Sequence, residues 1–168
     1  MQSKIKSTQN DLYKLILSLY TDTPPRRSMD YAKMLINQPD DKKSNILVFT
    51  TKVKQFIFNK YKTVHKSGAQ VLDIKSPALI KVISDYLEKN PNQEYLLMRN
   101  GNALSDKQIR EILRTEIGSK THKIGIQAIC SMFATYIMVE NKRSPQAFEA
   151  FAKKTNNLQS CQLMMLKV

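Results

Sequence analysis

The chain has 168 residues, enough for one domain with a single sizeable core, and its 42% apolar content argues against disorder. No apolar run approaches the length that spans a bilayer, and the start, Met1-Gln2-Ser3-Lys4-Ile5-Lys6, lacks the apolar stretch of a secretory signal. A net charge of +13, mostly lysine, attracts polyanions. The expectation is therefore an intracellular protein (nucleus, cytoplasm or virion), neither secreted nor membrane-bound, with nucleic acid as its leading partner.

In chain order, Thr8 to Tyr20 spaces Leu12, Leu15, Ile16 and Leu19 as on one helix face, with Thr8 or Asn10 as cap. Pro24-Pro25 ends that helix. Arg26 to Asn37 reads as a helix whose last residues turn into strand, and 38–44 reads as a polar loop. Three strands follow: Asn45 to Thr51; Gln55 to Tyr61, with Phe56 and Phe58 on one face and Ile57 and Asn59 on the other; and Ala69 to Ile74. They make a small three-stranded antiparallel sheet with Lys62 at the turn between the last two strands.

From Ser76-Pro77 the period becomes helical, with Leu79, Ile80, Val82, Ile83, Tyr86 and Leu87 on one broad face, until Asn90-Pro91-Asn92. Glu94 to Met98 reads as a short strand before an Asn100-Gly101 turn. Ser105 caps a helix from Asp106 to Ile117 that Gly118 stops. Ile124 to Glu140 is apolar almost all round and reads as a central buried helix. Ser144-Pro145 starts a short amphipathic helix, and the tail from Thr155 to Val168 ends in a Met-rich patch. The fold class is α+β: a mostly helical single domain, 1–168, with no separate N-terminal core-binding domain.

The two cysteines, Cys130 and Cys161, form no metal motif with His65 and His122, so neither a metal nor a cofactor is expected. Cys130 sits in an apolar helical pattern and reads as a small buried residue. The basic residues are spread along the chain without forming a single stripe.

Two segments carry a resemblance. Leu19 to Tyr31 reads Leu-Tyr-Thr-x-x-Pro-Pro-Arg-Arg-x-x-Asp-Tyr, and about thirty residues after its arginines comes Asn59-Lys60-Tyr61-Lys62-Thr63. In this order and setting they resemble the catalytic domain of the tyrosine recombinase (phage integrase) superfamily, most of all the recombinase-like proteins of large DNA viruses and their mobile elements. The resemblance implies a tyrosine-recombinase catalytic-domain-like fold and DNA strand exchange through a phosphotyrosyl link. In the family a tyrosine attacks the backbone phosphate, two arginines and a histidine or tryptophan hold its oxygens, and a turn lysine protonates the leaving oxygen. Such chemistry needs fixed positive charge aimed where negative charge develops.

Carried onto this chain, the first arginine is Arg26 or Arg27, and the turn lysine is Lys62. The His-x-x-Arg box aligns with Gln127 and Cys130, supported by the run Ser131-Met132-Phe133-Ala134-Thr135. The second histidine falls at Asn157 and the nucleophile at Met165. Gln127 donates a hydrogen bond but moves no proton, and Cys130 removes a permanent cation. Losing one such donor costs roughly a hundred- to a thousandfold in rate. A thioether at Met165 forms no phosphotyrosyl link. Tyr136 reads as core, and Ser160 and Cys161 lack a nearby histidine.

The bland alternatives stay open: Arg26 or Arg27 paired with Asp30 or in solvent, Lys62 as one more turn lysine, and Phe56, Phe58 and Tyr61 as sheet core. Three functions are compatible. One is a catalytically inactive recombinase-like protein that binds DNA non-specifically through charge. Another is a structural or interaction protein, such as a minor virion component, that self-associates or meets a viral partner through its C-terminal tail. The last is an active recombinase with an unfamiliar nucleophile.

Overall fold

The computed structural model describes residues 9–117, 125–126 and 128–132. Helix α1 (Asp11–Thr21) starts where Asn10 accepts a hydrogen bond from the Tyr13 backbone N–H at 3.2 Å, the N-cap expected from the sequence. It buries Leu12, Leu15, Ile16 and Leu19, the four residues of its apolar face.

The next helix is much shorter than the sequence suggests. Helix α2 is a single turn, Ser28–Tyr31, in place of a helix from Arg26. Ala32 is already extended (φ −62°, ψ 128°), and Lys33 enters the left-handed region at φ 54°, which redirects the chain into a strand.

That strand corrects the sheet. Strand β1 (Leu35–Ile36) runs parallel to β2 (Ile46–Phe49), which pairs antiparallel with β3 (Lys54–Phe58), which pairs antiparallel with β4 (Gln70–Asp73). The sheet is therefore four-stranded and mixed, in the order β1-β2-β3-β4, and not three-stranded antiparallel. The three expected strands are its antiparallel part. A short helix, α3 (Val64–Ser67), lies within the β3–β4 connection. On the outer side of β1, Ile36 N–H donates to the Glu94 carbonyl at 3.1 Å and Leu96 N–H to the Met34 carbonyl at 2.8 Å, so this edge is covered. Only Tyr95 of the expected 94–98 strand bridges to Leu35. Regular pairing begins later, in the hairpin of β5 (Met98–Arg99) and β6 (Asn102–Ala103). Its turn is Asn100-Gly101, both at positive φ (53° and 76°), the backbone a two-residue hairpin requires.

Helix α4 (Pro77–Lys89) begins with Ser76 accepting from the Leu79 N–H at 3.3 Å and proline in its first turn. Helix α5 (Asp106–Ile117) opens with a reciprocal cap: Ser105 Oγ accepts from Gln108 N–H, and Gln108 Oε1 accepts from Ser105 N–H. Leu79, Ile83 and Tyr86 of α4 and Ile109, Ile112 and Leu113 of α5 join α1 in one core. That core is continuous with the inner sheet face through Leu47, Phe56 and Phe58. Among residues 126 and 128–132, Ile129 and Cys130 are buried while Ala128 and Met132 are exposed, so this stretch is one-sided and not buried all round. Gly118, Gln127, His122, Tyr136, the Ser144-Pro145 helix, Asn157, Ser160, Cys161, Met165 and the tail lie outside the described residues.

Candidate nucleic-acid interface

The sequence places two cations at the centre of the site, and the structure treats them in opposite ways. Arg26 is 1% exposed. The extended 24–27 segment, with Arg27 capping α2 in β conformation, turns the Arg26 side chain inward. Its Nε donates to Asp30 Oδ2 at 3.0 Å and its Nη1 to Gln70 Oε1 at 3.1 Å. Its guanidinium carbon lies 3.7 Å from the Phe58 ring centroid and 5.4 Å from that of Tyr61. This is a cation stacked between aromatic rings and paired with a carboxylate, the pairing that the sequence left open. Phe58 and Tyr61 are thereby core residues, not a platform for bases. Burial pushes the Asp30 carboxyl up from its ordinary value, against the pull of Arg26 and, more weakly, of Arg27. Arg27 itself is half-buried.

Lys62 is exposed, on the connection between β3 and β4, the place the sequence assigns it. The following Thr63 caps α3, and Gly68 closes it at φ 66°. The Tyr61 hydroxyl donates to the Gly68 carbonyl at 2.5 Å, holding this connection in shape.

The tyrosines beside Arg26 do not reach solvent. Tyr31 is fully buried, and its hydroxyl is pushed up to about 12, chiefly by burial. Tyr20, whose ring meets that of Tyr31 edge-on at 5.6 Å, is 1% exposed and is also raised by burial. Tyr61 is 4% exposed, with its hydroxyl committed to Gly68. A nucleophile needs access to the phosphate, which burial denies all three, and a hydroxyl that deprotonates readily, which the environments of Tyr20 and Tyr31 oppose. Cys130 is 3% exposed with Sγ 3.8 Å from the Pro25 carbonyl, so the residue at the box position packs beneath the arginine-bearing segment. Among the described residues no group of three or more His, Cys, Asp or Glu side chains could hold a metal ion.

Charge is segregated in a way the sequence reading missed. Between Asp41 and Asp73 the chain carries seven lysines and no carboxylate. Six of the seven are exposed, Lys54 being half-buried, and none takes part in an ion pair among the described residues. Residues 77–117 hold six cations and six anions. The signal for this contrast lies in the spacing of the carboxylates and not in that of the cations. The bridging role of Asn45 and Asn59 is not visible in the sequence, because nothing there distinguishes an asparagine that bridges loops from one in solvent. Asn45 Nδ2 donates to the Asp30 and Lys60 carbonyls, both at 2.8 Å, and its Oδ1 accepts from Lys60 N–H at 2.7 Å. Asn59 Nδ2 donates to the Asp41 carbonyl at 2.9 Å and the Ser44 carbonyl at 3.0 Å.

No family model matches the chain, and no curated protein matches it. Among solved structures the chain is similar to XerA recombinase, with a TM-score of 0.58 and 13% identity over 99% of this chain and 61% of that one. The chain thus shares the fold of that recombinase and spans about three fifths of its length. Among the described residues no helix is long and apolar enough to cross a membrane.

Proposed function

We propose that this is a degenerate tyrosine-recombinase-like protein of the type found in large DNA viruses and their mobile elements, one that binds DNA without rearranging it. The observation that carries the reading is the carboxylate-free, lysine-rich sheet segment on a fold shared with XerA recombinase. Exposed lysines near a phosphodiester backbone displace condensed counterions, which gives affinity with a steep salt dependence and little sequence preference. Lys62 and the neighbouring exposed lysines supply that contact, with Arg27 as a half-buried addition. Arg26 supports the site from within. The absence of chemistry rests on Gln127, Cys130, Asn157 and Met165 standing where the resemblance requires a histidine, an arginine, a second histidine and a tyrosine. An intracellular location, in nucleus, cytoplasm or virion, goes with this reading. Gel shifts with duplexes of unrelated sequence should show binding at low salt that weakens sharply at moderate salt. No binding at low salt ends this reading. A nicked suicide duplex should yield no covalent adduct, and an adduct would favour the active-recombinase alternative.

The burial of Arg26 against Asp30 favours a second reading, in which a phosphate-facing position has become core and the fold serves as a structural or interaction module, for example in a virion. Light scattering on full-length and tail-deleted protein separates the two. A tail-dependent oligomer that ignores DNA supports this second reading.

A further inference from the structure

Lysines contribute jointly to backbone binding only when they are held near one another and face the same way. At one end of the sheet, two segments that are separate in sequence are pinned together by side-chain amides. Asn59, just past β3, grips the carbonyls of Asp41 and Ser44, which bracket Lys42 and Lys43. Asn45, 5% exposed, holds both backbone groups of Lys60 and the carbonyl of Asp30 at the end of α2. The Asp41 carboxylate accepts hydrogen bonds from the backbone N–H groups of Lys43 at 2.6 Å and Ser44 at 3.1 Å, so one of the loop's two acids is engaged by its own backbone, while the other, Asp40, is exposed. Lys42, Lys43, Lys60, Lys62 and Lys66 are all exposed. Lys52 sits at the other end of β3, across five strand residues, or roughly 17 Å. That is about two Debye lengths at physiological salt, so Lys52 acts apart from the group.

We infer that the 38–44 loop and the β3–β4 connection form one composite contact surface for the phosphodiester backbone, with Asn59 and Asn45 as the positioning residues that lock the two segments into it. This rests on the DNA-binding reading above and adds which face binds and what holds it ready. The amides matter because a polar seven-residue loop that is ordered before binding does not pay its ordering entropy on binding.

The test is fluorescence anisotropy with a 20-base-pair duplex of mixed sequence across a KCl series, with an urea unfolding curve for each variant. Each lost phosphate contact lowers the slope of log K against log salt by roughly 0.9. Lys42→Gln with Lys43→Gln should therefore lower it by roughly 1.8, and Lys60→Gln, Lys62→Gln and Lys66→Gln together by roughly 2.7. Asn59→Ala removes no charge, yet it should weaken binding and make the Lys42/Lys43 pair count for less than it does in the native background. A merely structural asparagine would leave that coupling at zero. In the unaltered protein, amide hydrogen exchange should slow at 41–44 and at 60–68 together when the duplex is added, a readout that needs no variant to fold. If the duplex binds but the Lys42/Lys43 change leaves the slope intact, or only one segment is protected, the composite surface is wrong while DNA binding stands. If the native protein binds no duplex at low salt, both fall.

Discussion

The sheet side and the helical side of this molecule use charge for different ends. On the helical side cations and anions are matched in number, and they meet on the surface: Lys81 with Asp85 at 3.2 Å, Arg110 with Asp106 at 2.8 Å, and Lys89 reaching Asp11 at 2.7 Å. On the sheet side no carboxylate interrupts the seven lysines between Asp41 and Asp73, and none of these lysines joins an ion pair among the described residues, whereas Arg26 and Asp30 form a buried one. Paired surface charges solvate helices and add little stability. Unpaired ones of a single sign repel each other, which the fold tolerates and which a polyanion relieves. A net charge of +13 conceals this division.

The largest expected effect tests the buried end of the comparison. Arg26→Ala strands the Asp30 carboxylate in the core, and breaking a buried pair from one side costs roughly 3–5 kcal/mol. Replacing both partners, Arg26→Met with Asp30→Leu, should recover most of that loss. Urea unfolding reads both. A loss under about 1 kcal/mol for Arg26→Ala would mean that the guanidinium is not a core element and would return it to the phosphate-facing role.

Next in size is the contrast in binding. Neutralising Lys60, Lys62 and Lys66 should lower the salt slope by roughly 2.7, whereas neutralising Lys81, Lys107 and Arg110 on the helical side should change it by less than roughly 0.5. Equal effects from the two triples would show that DNA meets overall charge and not a face.

The elements were legible where the signal is local. Asn10, Ser76 and Ser105 stand as helix starts because a cap needs only its own first turn, and Asn100-Gly101 forms a turn because both residues tolerate positive φ. The alternation of Phe56 and Phe58 against Ile57 gave β3 its buried face. What was not legible depends on distant partners. Strand β1 is two residues long and exists because β2 on one side and the 94–96 segment on the other pair with it. The single-turn α2 ends at Ala32 and Lys33, neither of which is a helix breaker by type. At the site, Lys62 was placed by its turn. The inward course of Arg26 depends on Gln70, forty-four residues away, and on the ring of Phe58, which no pattern around Pro25 could reveal.

A cap on the helical side gives a smaller effect. Ser76→Ala removes the acceptor for Leu79 N–H at the start of α4 and should cost about 1 kcal/mol, with no change in DNA affinity. Thermal unfolding and anisotropy, measured on the same sample, check both halves. A loss of affinity here would tie α4 to the binding face.

The smallest effect is the most useful control. Lys81 is 76% exposed and its partner Asp85 39%, so Lys81→Gln gives up a screened, solvated pair worth at most a few tenths of a kcal/mol. It also removes one unit of net charge, as Lys62→Gln does. If long-range attraction to the whole molecule governed binding, these two single changes would weaken it alike at low salt. If the uncompensated sheet side governs it, Lys62→Gln lowers the salt slope by roughly one contact and Lys81→Gln leaves it where it was. The two variants have equal charge and both changes are exposed, so a difference between them is attributable to position alone.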